Sequence, residues 1–425
     1  MNKQAFDKLS GQELLQMEAE VLHQYEDFAS RNLSLNMARG KPAPTLLNNS
    51  NDVLDAMTDA VCADGTDARN YGVLDGIPEM RKFFGDVLEI DAGRIIVGGN
   101  SSLNLMYDSI ARLYCFGAPG FAPWCSVENR KFLCPCPGYD RHFAVTGDFG
   151  FEMITVPMNE DGPDMDTVEE LVASDASIKG IWCVPLYSNP QGVCYSDEVV
   201  ARLGKMKTAA GDFRIFWDNA YGVHHLYGET RLADIFAACE AGGNPDRPYY
   251  FFSTSKITFP GAGVAMMATG YREREMIIKH LGIQTIGSDK LNQLRTLRFL
   301  KDAETLKKHM EKLAGELRPK FEIVNNTLEK ELGGTGLATW TKPRGGYFVS
   351  LDTLDNCAKE TLRLAKDAGV TMTGAGATFP EKKDPRDRNI RIAPTYPDCS
   401  ELQVAMDLFC ICVKLAGIRH LLGKI

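Results

Sequence analysis

The chain has 425 residues, more than a single hydrophobic core usually holds, so its length predicts two or three domains. Hydrophobic residues make up 44% of the chain and charged residues 24%, which excludes a disordered or fibrous protein. The formal net charge of −9, without any compact Lys/Arg block, argues against nucleic acid as a partner.

No apolar run reaches the roughly 18 residues that span a bilayer, and the polar start of the chain lacks the apolar core of a signal peptide. The 12 cysteines form no CxxC pair, and no Cys/His group has the spacing of a zinc site. We therefore expect free thiols in a reducing cytoplasm, no membrane segment and no metal ion.

The first predicted element is a helix. Ser10 and Glu13 have the spacing of a capping box, and apolar residues then recur with helical spacing as far as Phe28. The segment Ala38–Pro44 contains two prolines and a glycine, which predicts irregular backbone on the surface or along a cleft.

Short β-rich runs alternate with helical patterns from about residue 94 to about residue 270. The runs are Arg94–Val97, Ile178–Pro185, Phe213–Trp217 and Tyr249–Phe252. The last two are apolar without alternation, as expected for strands covered on both faces, and this indicates a parallel sheet in an α/β fold. Ligands of such sheets collect at the carboxyl ends of the strands.

A long helical pattern follows beyond about residue 290. Its apolar positions keep their spacing up to Pro319 and resume it at Phe321, which predicts a helical connector interrupted at the proline. The connector leads to a second domain. We expect a small domain in residues 1–60 and 300–425, built from both chain ends, and a large domain in residues 61–299.

Polar residues follow three of the predicted strands. Lys256 comes after an apolar strand and three hydroxyl residues; burial would lower its pKa and leave a neutral amine that can form a Schiff base. Asp218 directly follows Trp217, and a buried carboxylate there needs a cationic partner or several donors. Tyr221 could present its phenol to the same cavity. Asn189 follows a third strand, where a simple Asn-Pro turn is the alternative.

The run Val97–Ser102 ends a strand in two glycines and begins a helix at two serines. Free N–H groups and the helix dipole at such a point accept an anion. The run is neither GxGxxG nor GxxxxGK[ST], so a dehydrogenase or a nucleoside triphosphatase loses support.

Taken in order, four motifs resemble the fold-type I pyridoxal-phosphate (PLP) enzymes of the aminotransferase class I and II superfamily. They are Asn189-Pro190-Gln191-Gly192, Asp218 with Tyr221, Ser253-Thr254-Ser255-Lys256, and Arg391. Residues 39–42, 137–143 and 257–263 look like a divergent aspartate aminotransferase branch. The resemblance implies a mainly parallel large domain with a smaller α+β domain. It also implies ping-pong amino transfer between aspartate or glutamate and 2-oxoglutarate or oxaloacetate.

The resemblance assigns roles to individual residues. Lys256 would bind the PLP aldehyde and shuttle a proton, and Asp218 would keep the pyridine nitrogen protonated. Asn189 and Tyr221 would hydrogen-bond the phenolic oxygen, and Tyr139 would stack on the ring. The residues expected at the phosphate are Gly99, Asn100, Ser101, Ser253, Ser255 and, in a homodimer with shared sites, the partner subunit's Tyr71. The residues expected at the substrate carboxylate are Arg391, Gly40 and Asn189.

The chain departs from the family at one point. The family usually follows its lysine with Pro-Gly-x-Arg, whose arginine pairs with the phosphate, but here the segment is Pro260-Gly261-Ala262-Gly263. We expect hydroxyls, backbone donors and the partner subunit's Tyr71 to compensate. The distal carboxylate of a dicarboxylate substrate needs a second cation. Arg141 is the first candidate and Arg39 the second, with a solvated surface arginine as the alternative for either.

Other functions remain open at this point. A β-lyase, a decarboxylase or a racemase could use the same cofactor. A non-catalytic PLP-binding sensor fused to a DNA reader is disfavoured, because the first predicted helix begins near residue 10 and the net charge is negative. A scaffold that merely kept the fold would not explain why Lys256, Asp218, Asn189 and Arg391 occur together.

Overall fold

The structure is a computed structural model that describes residues 5–38 and 40–425. Its α-helices are α1 Gly11–Ser30, α2 Pro44–Asn48, α3 Pro78–Leu88, α4 Ser102–Phe116, α5 Asp140–Asp148, α6 Met165–Ser174, α7 Asp197–Lys205, α8 Ile235–Ala241, α9 Tyr271–Gln284, α10 Lys290–Leu300, α11 Ala303–Leu332, α12 Ala358–Asp367 and α13 Cys399–Leu421. Its strands are β1 Leu35–Asn36, β2 Ile95–Gly98, β3 Lys131–Cys136, β4 Glu152–Asn159, β5 Gly162–Pro163, β6 Ile178–Cys183, β7 Arg214–Asp218, β8 Pro248–Ser253, β9 Ala265–Thr269, β10 Ala338–Trp340, β11 Val349–Thr353, β12 Val370–Thr371 and β13 Asn389–Ile392.

Eight strands form the central sheet in the order β2-β9-β8-β7-β6-β3-β4-β5. Neighbours from β8 to β4 pair in parallel, whereas β9 runs antiparallel to both β2 and β8, and β5 runs antiparallel to β4. The four predicted strands are β2, β6, β7 and β8, each within a residue or two of its predicted ends. The predicted mainly parallel α/β fold is therefore confirmed.

Both faces of this sheet are buried, which explains the uninterrupted apolar runs. In β7, Ile215 and Trp217 belong to one core cluster, whereas Phe216 between them belongs to the cluster on the opposite face. Successive side chains of a strand point to opposite faces, so a strand covered on both sides needs apolar residues at every position. Full burial of each such side chain contributes about 1.5–3 kcal/mol.

The two ends of the chain meet in the structure. Strand β1 pairs in parallel with β12, helix α1 packs on α13, and β10, β11 and β13 form a separate antiparallel sheet. The capping box that starts α1 is also present, because Ser10 Oγ accepts from the Glu13 N–H at 3.3 Å and Glu13 Oε2 accepts from the Ser10 N–H at 2.7 Å. This association of chain ends suits the predicted small domain, while the boundaries at residues 60 and 300 stay a prediction.

Helix α11 runs through Pro319 without interruption, in contrast to the break expected from the sequence. Leu317 and Phe321 on either side of the proline are both buried in the main core, as are Leu313 and Val324. Proline inside a helix costs about 3 kcal/mol, and the apolar face that continues across it offsets this cost. None of the helices among the residues described is long and apolar enough to cross a membrane.

Candidate active site

A cavity of about 240 Å³ lies at the carboxyl ends of the central strands. Asp218 is the last residue of β7, Lys256 follows the neighbouring strand β8, and Asn189 follows β6. All three side chains line the cavity. Because parallel neighbours end at the same edge of a sheet, residues far apart in sequence meet here.

The Lys256 side chain lies beside an aromatic ring of the cavity. Its Nζ lies 4.9 Å from the centroid of the Tyr221 ring. Burial lowers the pKa of Lys256 from its ordinary value, and the negative charge of Asp218 opposes that change. Its own carbonyl oxygen accepts from Tyr347 Oη at 3.5 Å and lies 3.4 Å from His224 Nε2. The lowered pKa favours the neutral amine that a nucleophilic lysine needs.

Asp218 is held by His142, a residue of the segment 137–143 for which the sequence suggested no individual role. Asp218 Oδ2 lies 2.9 Å from His142 Nε2, and both side chains are almost completely buried. The His142 ring stacks on Trp182 with centroids 4.3 Å apart and planes 9° from parallel. Among the atoms described, Asp218 Oδ1 has no hydrogen-bond partner. One carboxylate oxygen is thus fixed and the other remains free to bind a group in the cavity.

Tyr221 and Tyr139 supply two aromatic side chains of the cavity. Tyr221 is fully buried, and burial raises its pKa well above the ordinary value. Burial likewise raises the pKa of Tyr139 to about 12. The Tyr139 ring meets the His142 ring edge-on with centroids 4.9 Å apart. Both phenols therefore stay protonated at neutral pH and can act as hydrogen-bond donors.

Hydroxyl groups gather at the end of the cavity next to helix α4. Ser253 Oγ donates to Ser255 Oγ at 3.1 Å, and Ser255 Oγ donates to the carbonyl oxygen of Asn100 at 3.3 Å. Ser101 precedes α4 without capping it through its side chain. Ser101, Ser253 and Ser255 line the cavity, while Gly99 and Asn100 lie beside it and are exposed. Free N–H groups at the start of α4 and these hydroxyls can hold an anion.

Arg391 lies on β13, outside the central sheet, and reaches Asn189 of the cavity. Arg391 Nη1 donates to Asn189 Oδ1 and to Asp140 Oδ1, each at 3.2 Å, and Nη2 donates to Thr373 Oγ1 at 3.4 Å. Arg391 Nε is buried and has no partner among the described atoms. Its guanidinium retains N–H groups for a further anion.

Gly40 is needed for the packing of the ring that covers Arg391. The Phe348 ring centroid lies 4.9 Å from Arg391 Cζ. A Cβ atom on Gly40 would come within 2.2 Å of Phe348 Cζ, so any side chain at this position would displace the Phe348 ring. The absence of a side chain at Gly40 therefore allows the Phe348 ring to pack against Arg391.

Two of the candidates, Arg141 and Tyr71, lie away from the cavity. Arg141 is exposed and lines a separate groove between α4 and α5. It is the second residue of α5, whereas Tyr139 precedes this helix with extended backbone. This placement disfavours Arg141 for the distal carboxylate. Tyr71 is 80% exposed and makes no contact with the cavity of its own chain. Arg39 lies outside the described residues.

The cavity has the donor set that PLP requires. It combines an amine of lowered pKa, a buried carboxylate with one free oxygen, an aromatic ring and a cluster of hydroxyls. The ring nitrogen, aldehyde and phosphate of PLP are complementary to the carboxylate, the amine and the hydroxyls respectively. The residues present therefore fit the cofactor, apart from the arginine expected after the lysine. Pro260 lines the cavity at that point, and Gly263 packs against Ser255.

Comparison with known proteins finds aminotransferases by sequence and by structure. A family model described as aspartate amino-transferase matches residues 9–425. The chain is 47% identical to a putative aminotransferase of Mycolicibacterium smegmatis over 99% of each chain. It is 46% identical to an aspartate aminotransferase of Corynebacterium glutamicum over 94% of each chain. A crystal structure of an aspartate transaminase from Corynebacterium glutamicum superposes with a TM-score of 0.97 at 44% identity, covering 99% of this chain and 100% of that one.

Fold and cavity together define a fold-type I aminotransferase. The chain belongs to the aspartate amino-transferase family, and this family implies PLP as the cofactor.

Proposed function

We propose that the protein transfers the amino group of aspartate or glutamate to 2-oxoglutarate or oxaloacetate by a ping-pong reaction with PLP. The observation that carries the proposal is the convergence of Lys256 and Asp218 on one cavity, with Arg391 bonded to a third lining residue. The names of the Corynebacterium glutamicum relatives support the choice of aspartate.

Lys256 and Asp218 would perform the proton chemistry. Bound PLP supplies an aldehyde that takes up the amino group and a ring that stores the electrons released at the substrate Cα. Lys256 Nζ, with its lowered pKa, would take the proton from the substrate Cα and deliver it to the carbon of the former PLP aldehyde, and it would carry a proton the opposite way in the second half of the reaction. Asp218 Oδ1 would hold a proton on the ring nitrogen, while His142 keeps the carboxylate oriented through Oδ2.

The other residues would position the reactants and exclude water. Tyr139 would cover one face of the PLP ring, and Asn189 and Tyr221 would direct hydrogen bonds to its phenolic oxygen. The hydroxyls of Ser101, Ser253 and Ser255 and the N–H groups at the start of α4 bind the phosphate. Arg391 binds the substrate α-carboxylate. Domain boundaries at residues 60 and 300 would place Arg391 and Gly40 on the small domain and the lysine on the large one.

We further propose a homodimer in which the partner subunit's Tyr71 completes the phosphate site. Tyr71, Ile283 and Ile286 are exposed apolar side chains on segments that contact one another. Lys290 Nζ at the start of α10 donates to the carbonyl oxygen of Gly72 at 3.0 Å, which links the two segments. Clustered apolar residues on a surface are typical of an interface. No disulfide joins cysteines of the described residues, which supports a reducing compartment such as the cytoplasm.

The test is the stoichiometry of the reaction. The purified enzyme is incubated with PLP, aspartate and 2-oxoglutarate, and each product is quantified. We expect one oxaloacetate for each glutamate formed. Without 2-oxoglutarate, the enzyme should complete only the first half-reaction and form no further product. Sustained release of ammonia or carbon dioxide without an acceptor, or formation of a D-amino acid, would instead indicate a lyase, a decarboxylase or a racemase.

A further inference from the structure

Arg391, which is proposed above to bind the substrate, already forms an ion pair with Asp140. Arg391 Nη1 lies 3.2 Å from Asp140 Oδ1, and the two side chains are 8% and 35% exposed. The carboxylate of Asp140 is the same chemical group that an amino acid or 2-oxo acid presents. The enzyme without substrate thus already holds a carboxylate on Arg391.

The remaining contacts of the guanidinium leave it short of acceptors. Nη1 also donates to Asn189 and Nη2 donates to Thr373 at 3.4 Å, both neutral groups, while Nε is buried without a partner among the described atoms. Arginine binds a carboxylate most strongly through two parallel N–H groups. A substrate carboxylate must therefore either displace Asp140 or share the positive charge of Arg391 with it. In both cases the charge of Asp140 opposes binding.

Unlike the buried Asp218, Asp140 can break its ion pair with Arg391 at little cost. It is the first residue of α5, and its side chain is partly exposed to solvent. An anion at the N-terminus of a helix is stabilised by the helix dipole even without a salt bridge. A substrate carboxylate can therefore release Asp140 without leaving it buried and unpaired.

We infer that Asp140 competes with the substrate α-carboxylate for Arg391 and so limits the affinity of the enzyme for its substrates. This inference rests on the role proposed above for Arg391. Asp140 then sets the affinity of the site rather than its choice of substrate, because it weakens the binding of every carboxylate at Arg391.

The test uses Asp140→Asn, which removes the charge and keeps the shape and an acceptor. Binding of maleate, a dicarboxylate that cannot be transaminated, is measured on the holoenzyme by isothermal titration calorimetry. We expect the Kd of maleate to fall about three- to tenfold and the gain to shrink with added salt. KM should fall by a similar factor for amino donor and oxo acceptor, without a rise in kcat. Asp148→Asn, an equal change of charge at the other end of α5, should leave the Kd unchanged.

Variants of Arg391 separate the two proposals. Arg391→Gln, or Arg391→Lys if the first does not fold, should weaken maleate binding and abolish the effect of Asp140→Asn in the double variant. Unchanged binding in the Arg391 variants would refute the proposed role of the arginine itself. Weakened binding there, combined with an unchanged or raised Kd in Asp140→Asn, would overturn the inference about Asp140 alone.

Discussion

Replacing Asp218 by asparagine should lower the rate of amino transfer sharply. Asp218 is a buried carboxylate with one oxygen bonded to His142 and the other free in the cavity. An amide there offers a donor where the ring nitrogen of PLP needs an anion, which favours the unprotonated nitrogen and weakens the ring as a store of electrons.

The size of the effect follows from the burial. Removing one member of a buried ion pair costs about 3–5 kcal/mol, because the other charge is left in a medium of low dielectric constant. Each 1.36 kcal/mol on the barrier is a factor of ten in rate, so kcat/KM should fall by about two to four decades. The assay is the rate of amino transfer from aspartate at saturating PLP, with cofactor content checked by absorbance.

Asp212→Asn is the matched control. Asp212 is a second buried carboxylate, which accepts from Trp124 Nε1 and Lys179 Nζ, each at 2.8 Å, and does not line the cavity. Its replacement should lower the free energy of unfolding by about 3 kcal/mol while leaving kcat/KM of the folded enzyme unchanged. If Asp218→Asn kept kcat/KM within tenfold of wild type, the role of its free oxygen would be refuted.

Three further predictions concern the lysine, the glycine and the exposed tyrosine. Burial lowers the pKa of Lys256 below the ordinary 10.5, so the unfolded chain binds more protons and the free energy of unfolding should rise with pH up to that value. In the cofactor-free chain, the free energy of unfolding of Lys256→Met, measured by denaturant titration, should not show this rise with pH. Parallel pH profiles of the variant and the wild type would contradict the reasoning. Gly40→Ala should push Phe348 off Arg391 and raise KM about tenfold, whereas Gly315→Ala, with open space around its Cβ position, should not. Tyr71→Phe should weaken PLP binding measured by fluorescence titration, and an unchanged Kd would refute its part in the phosphate site.

Local patterns were sufficient for the elements that depend on neighbouring residues. The capping box at Ser10 and the apolar runs of β7 and β8 are complete within a few positions, so their period and composition identify them. The sequence also predicted that Asn189, Asp218 and Lys256 lie close together, because each lies at or after the end of a strand and parallel strands end at one edge of the sheet.

The wrong expectation at Pro319 has a tertiary cause. The local rule predicts a break, but the apolar face of α11 continues on both sides of the proline and stays buried along its length. The placement of Arg141 shows a related limit. Proximity to Tyr139 in sequence suggested a shared pocket, but Tyr139 precedes α5 and lines the cavity, whereas Arg141 lies on α5 and lines a different groove.

By itself, the sequence determined the class of sheet, the order of the chemical motifs and the residues that end the central strands, because hydrophobic period and strand-end chemistry are local properties. Only the tertiary structure decided that His142 fixes one oxygen of Asp218, that Asp140 forms an ion pair with Arg391 and that the Phe348 ring fills the space beside Gly40. These contacts join residues that are 76, 251 and more than 300 positions apart. Contacts at such separations are set by how the elements pack, which no local pattern records.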